Sequence, residues 1–151
     1  MKALALAALL ALALSISPAQ AEPTPASVHQ GPTVPLSIRT AHHTARFHVE
    51  VARTPDEQEL GLMFRKSMPA DHGMIFPMNP PRPASFWMKN TLIPLDMVFI
   101  RADGTISSII ADVPPLTLQT RDSTEAVGAV LELNGGGAAR AGIKPGDRVS
   151  W

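Results

Sequence analysis

The sequence predicts a mainly β fold, a sandwich or barrel, in one domain with one short helix. Three observations predict it. Short runs rich in Val, Ile, Phe and Trp recur, separated by turn residues. Only one stretch carries a full helix-start signal. The gaps between strand candidates are too short for the helical crossovers of an α/β parallel fold.

The elements follow in chain order. "MKALALAALLALALSISPAQA" has a charged start at Lys2, an apolar run from Ala3 to Leu14 and small residues at Ala19 and Ala21. It reads as a signal peptide, residues 1–21, cut after Ala21. The apolar run is too short to span a bilayer, which takes about 18 or more such residues. Residues 22–34 read as a Pro-rich linker, and residues 35–151 as the single mainly β domain. In "RFHVEVAR", Phe47, Val49 and Val51 alternate with His48 and Glu50, the pattern of a half-buried strand. Thr54, Pro55 and Glu57 then form a capping box with proline in the first turn, predicting a helix from Pro55 to about Leu62. "GMIF" predicts a short buried strand, and the prolines of Pro77 to Ala84 predict a loop, since proline cannot feed a ladder. "SFWMK" and "LDMVFIR" are strands, and Ala102-Asp103-Gly104 turns the chain into "TISSII". "AVGAVLEL" is another strand. "NGGGAARAGI" is a turn with one helical turn, and "KPGD" leads into a final strand, "RVSW".

Composition narrows the function classes. Signal cleavage takes Lys2 from 13 Lys plus Arg, so 12 cations face 13 Asp plus Glu in the mature chain. A charge near −1 gives no electrostatic reason to expect nucleic acid as a partner. No second apolar run predicts membrane insertion after cleavage. With no cysteine, the fold rests on packing rather than disulfides. The expected location is exported, periplasmic or extracellular.

A wider pattern runs through "VEVARTPDEQELGLMFR", "HGMIF", "FWMKNTLIPLDMVFIRADGTI", "AVLEL" and "AGIKPGDRV". It resembles the family called domain of unknown function 192, from about Phe47 to Val149. The block Phe86 to Phe99 is its most specific part. The resemblance implies a compact, jelly-roll-like exported domain, with no established activity. Family members often carry an aromatic before the serine that precedes "AVLEL"; here "TLQTRDS" has none.

Six residues stand out as candidates for ligand binding: Trp87, Lys89, Asn90, Asp96, Arg65 and Glu132. On a strand, Phe86 and Met88 face one way, and Trp87 and Lys89 the other. An open Trp87–Lys89 face offers a flat apolar platform beside a cation, suited to sugars, carboxylates or aromatic rings. A packed one puts Trp87 under the proline loop. Asp96, amid apolar neighbours, must find donors; the bend at Asn90 to Ile93 is the nearest source, so Asp96 is expected to tie that bend shut. Arg65 and Lys89 are both possible partners for Glu132, which is expected on the outward face of its strand.

Other chemistries find little footing. Met63, Met68, Met74 and Met78 with His72 resemble a soft-metal cluster, but Met63 and Met74 fall at core positions, where methionine fills gaps, so core is the expectation. No metal site and no cofactor is expected. No nucleophile motif is present. Two functions are consistent with the residues. One is a non-catalytic exported module that binds a small molecule, glycan or envelope protein. The alternative is a hydrolase or lyase using Asp96 or Glu132 as general acid or base.

Overall fold

The computed structural model describes residues 31–151; the expected signal peptide lies outside them. Among the described residues the elements are β1 (Thr33–Arg39), β2 (Thr44–Val51), α1 (Pro55–Leu60), β3 (His72–Arg82), β4 (Ser85–Phe86), β5 (Leu95–Ile100), β6 (Ile106–Val113), β7 (Arg121–Asp122), β8 (Val127–Asn134), α2 (Gly137–Arg140) and β9 (Arg148–Ser150). Seven strands form one sheet in the order β6-β5-β8-β3-β2-β1-β9, and β4 pairs with β7 in a separate ribbon. The fold is mainly β, as the sequence predicts, and the sheet does not close into a barrel.

The sheet is mixed. β2 and β3 run parallel, and the chain between them carries α1, a crossover the gap proves long enough to hold. All other pairings are antiparallel. At one corner the terminal strands meet through an isolated bridge between Thr105 and Arg148. The Val149 N–H donates to Gly104 O at 2.8 Å, and the Ile106 N–H to Asp147 O at 2.9 Å.

α1 forms as its sequence dictates. Thr54 Oγ1 accepts from the Glu57 N–H at 3.2 Å, and Glu57 Oε2 accepts from the Thr54 N–H at 2.9 Å. Pro55 occupies the first turn, where its missing N–H costs nothing. Gly61, at φ +46°, ends the helix two residues before the expected stop.

Both faces of the sheet are buried. On one, Val49, Ile75, Val98, Ile100 and Leu131 form a core with β1, β9 and α2. On the other, Met74, Phe76, Leu95, Met97, Phe99 and Val130 form a second core, covered by Leu62, Met68, Ala84, Met88 and Ile93. Alternation along β5 sends Leu95, Met97 and Phe99 to the second core and Val98 and Ile100 to the first.

Three expectations need correction. β1 begins at Thr33, inside the stretch read as linker, and was not recognised as a strand. The proline segment is no loop: β3 runs on through Pro77, Pro80 and Pro81, with a register shift between Pro77 and Arg82. The prolines fit because β2 stops at Val51, opposite Ile75, so β3 has already lost its neighbour on that side. Finally, only Ser85 and Phe86 of "SFWMK" are strand; the next residues turn away into a loop.

Candidate functional site

A pocket of about 290 Å³ opens on the second face, between α1, the loop after it and the segment Arg82–Trp87. Glu132 of β8 lies at its floor. Its neighbours across the ladder are Met74 on β3 and Met97 on β5, both buried. The side chain does point away from Leu131 and Leu133, but not to solvent: the covering loops leave it only 4% exposed. Among the described residues no group donates a hydrogen bond to its carboxyl, and burial pushes its pKa up to about 8. At neutral pH Glu132 therefore holds its proton.

The walls are apolar near the floor. Phe76, Met78, Leu62 and Ala84 are buried. Phe76 and Phe86 meet edge to face, ring centroids 5.1 Å apart. Trp87 stands at the mouth, 45% exposed, with Glu59, Arg82 and Ser85. Lys89 Nζ lies 5.1 Å from the centroid of the Trp87 ring, a cation–π contact. So Trp87 and Lys89 share a side, Met88 is fully buried beneath them, and their face is the open one.

Backbone contacts fix this mouth. Asn90 adopts φ +55° and its carbonyl accepts from the Phe64 N–H at 2.7 Å, which locks the loop after α1 to the loop after β4. Asparagine tolerates that left-handed conformation better than most residues. The Leu116 N–H donates to Thr91 O at 3.1 Å, and the Met88 N–H to Thr117 O at 2.9 Å. Thr91 is buried and lines the pocket; its hydroxyl donates to Lys89 O at 3.3 Å.

Arg65 lies outside this pocket. It forms a two-armed ion pair with Glu50, with Nη2 2.9 Å from Oε2 and Nη1 on Oε1. Glu50 Oε2 also accepts from the Gly31 N–H at 2.8 Å. The Arg65–Glu132 and Lys89–Glu132 pairs considered from sequence are not formed. Glu50, Met74 and Glu132 follow one another across three strands on one face, which puts the two acids about 10 Å apart at strand spacing.

Asp96 is on the other face, fully buried. Its Oδ1 accepts from the N–H groups of Asp112 at 2.8 Å and Gly136 at 2.9 Å, and its Oδ2 from Ala138 at 2.8 Å. It is a tie, as expected, but of a different turn. The Asn90 bend is held by main-chain contacts, and Asp96 instead anchors the start of α2 to β5 and β6. Alternation explains this: Asp96 shares the face of Val98 and Ile100, where α2 packs.

The structure thus brings Trp87 and Glu132 together, sets Lys89 and Asn90 beside them, and leaves Arg65 and Asp96 elsewhere. Sequence reasoning missed Phe76, Phe86, Arg82 and Thr91 as pocket residues. Met68, Met74 and Met78 are core. His48 and His72 are neighbours with ring planes tilted by 41° and centroids 5.5 Å apart, and His72 Nδ1 lies 2.8 Å from Asp71 Oδ1. Among the described residues no three His, Cys, Asp or Glu side chains are arranged to hold a metal. No helix among them is long and apolar enough to cross a membrane.

Comparison with known proteins adds family and fold. The profile of domain of unknown function 192 (DUF192), described as "Uncharacterized ACR", matches residues 37–151. A crystal structure from Sinorhizobium meliloti 1021, described as a candidate transcription regulator, is similar at 42% identity and TM-score 0.77, over 81% of this chain and 97% of that one. A protein of unknown function from Novosphingobium aromaticivorans DSM 12444 is similar at 40% identity and TM-score 0.78, over 87% of this chain and all of that one. No curated protein matches.

Proposed function

The chain belongs to the domain of unknown function 192 family, and from that premise we propose that it is a non-catalytic, exported module that binds a small ligand in the Glu132 pocket. One observation carries the reading: a buried carboxyl with no partner among the described residues sits at the floor of a pocket whose mouth holds an exposed tryptophan. Buried polar groups are nearly always satisfied. A group left open at the base of a concave pocket with aromatic side chains in its wall is what ligand recognition uses. Export rests on the leader residues 1–21.

The acid/base alternative now narrows to Glu132, since both oxygens of Asp96 are occupied by main-chain N–H groups. A raised carboxyl in a pocket suits a general acid. Among the described residues no second carboxylate stands beside it at the floor: Glu50 is two strands away and held by Arg65, and Glu59 is exposed at the mouth. Binding is therefore favoured over hydrolysis. The near-neutral net charge gives no electrostatic reason to extend the regulator description of the S. meliloti protein to DNA binding here.

A thermal-shift panel on the purified protein and on Trp87→Ala tests the reading. The panel holds sugars, cell-wall fragments, amino acids, carboxylates and amines. A ligand at 100 times its Kd adds about 2.7 kcal/mol of stability. The expected result is a hit that Trp87→Ala weakens. A hit indifferent to both Trp87→Ala and Glu132→Gln would place binding elsewhere and sink the proposal.

A further inference from the structure

Resting on that reading, we infer that the pocket takes an organic ammonium group, with Glu132 as its counter-ion and the Phe76, Phe86 and Trp87 rings as its walls. The pocket is one cation short. Glu132 comes from β8, and the residues flanking it on β3 and β5 are Met74 and Met97, which carry no charge. From the covering elements, the charged residues lining the pocket are Glu59 of α1 and Arg82 at the end of β3, both exposed at the mouth. Arg65 is committed to Glu50, and Lys89 lies over Trp87. None of them reaches the Glu132 carboxyl.

The walls favour the same chemistry. Aromatic faces attract ammonium ions, and methionine sulfur is polarisable; Met63 and Met78 line the pocket beside the three rings. Lys89 already places an ammonium on Trp87, so this ring accepts one in the molecule itself. A polyol fits less well. It needs several free donors and acceptors in the depth of the pocket, yet there the Gln58 amide N–H groups are spent on Ala52 O and Pro77 O, and the Thr91 hydroxyl on Lys89 O, while Glu59, Arg82 and Ser85 are exposed at the mouth. Among the described residues, a carboxylate finds its one lining cation, Arg82, at the exposed mouth beside Glu59, and none at the floor. A volume near 290 Å³ is at the small end for ligand pockets, which suits a compact head group.

Binding would then move a proton. In the empty pocket burial keeps Glu132 neutral. An ammonium stabilises the carboxylate, and the proton leaves to solvent.

Choline and its neutral carbon isostere, 3,3-dimethylbutan-1-ol, separate the possibilities by calorimetry in two buffers of different protonation heat. Choline is expected to bind at least tenfold tighter than the isostere. At pH 7 nearly one proton should be released per site, and affinity should rise about tenfold per pH unit from pH 6 toward 8. Glu132→Gln, which mimics the neutral acid in shape, should keep its thermal midpoint at pH 6 and lose the preference for choline. Equal binding of choline and isostere, or binding without proton release, overturns the ammonium inference and leaves the pocket reading standing. So does a sugar or carboxylate that binds through Trp87 while choline does not. If no ligand of any class binds, both fall.

Discussion

Asp96 and Glu132 are acids on adjacent strands, one residue out of step: Asp96 pairs with Leu133, and Glu132 with Met97. Both are buried. One accepts three main-chain N–H groups, and the other accepts none among the described residues. The sheet separates them, so each meets a different covering layer. Asp96 faces a turn whose backbone donors need an acceptor. Glu132 faces apolar loops that supply no donor. Burial alone therefore does not mark a functional carboxyl; what surrounds it does. A carboxylate satisfied on both oxygens is architecture, and one kept open beside a cavity is available for chemistry.

The largest break in that contrast is Asp96→Ala. It strands three main-chain N–H groups at once, one buried and two partly buried, and the expected loss is on the order of 5 kcal/mol, read by urea unfolding. A loss under about 1 kcal/mol would mean that the α2 turn finds other acceptors and that Asp96 is not its anchor.

Glu132 predicts a pH dependence of opposite origin. Its pKa is about 8 when folded, well above the unfolded value. The folded state thus holds a proton that the unfolded state gives up. The contribution is fully present below about pH 4.3 and fades as pH rises to 8, at close to 1.4 kcal/mol per unit. Stability of the wild type should fall by roughly 4 kcal/mol between pH 5 and 8 from this group, and Glu132→Gln should flatten that slope. Parallel pH profiles for the two proteins would show that Glu132 is solvated or paired.

Arg65→Met sharpens the comparison with a third acid. It leaves Glu50 without its guanidinium, and about 3 kcal/mol should be lost at neutral pH. Double replacement, Arg65→Met with Glu50→Leu, should recover much of this, because removing both charges removes the desolvation cost. Recovery of nothing would assign the loss to packing of the arginine stem instead. The smallest effect belongs to Trp87→Ala. Its ring is nearly half exposed, so stability should change by less than about 1 kcal/mol while ligand binding falls. A large drop in thermal midpoint would make Trp87 scaffold.

Much of this contrast was legible in part. Thr54, Pro55 and Glu57 announced α1 because a capping box is local, complete within four residues. Trp87 and Lys89 were placed on one side by alternation, and the structure agrees although the strand ends at Phe86. Asp96 had to find donors, and did. Its partners were misplaced because they lie 16, 40 and 42 residues along the chain, at Asp112, Gly136 and Ala138, beyond any local rule. Glu132 was read as outward because one buried face suffices for an antiparallel strand. The contrary signal was present in "LDMVFI", where five of six residues are apolar: a strand apolar on both faces is covered on both. The neighbour of such a strand shares the cover. The length of β3 escaped because prolines forbid a ladder only where a partner strand is still present.

The pairing of β1 with β9 joins Ser37 to Ser150 and Ile38 to Val149. Contacts so distant in sequence carry a high loop-closure cost and form late, the habit of slow-folding β topologies. Until residues 148–150 are available, the edge of β1 has no neighbour, and the chain stays uncommitted. That edge is closed only by β9, more than a hundred residues further along the chain.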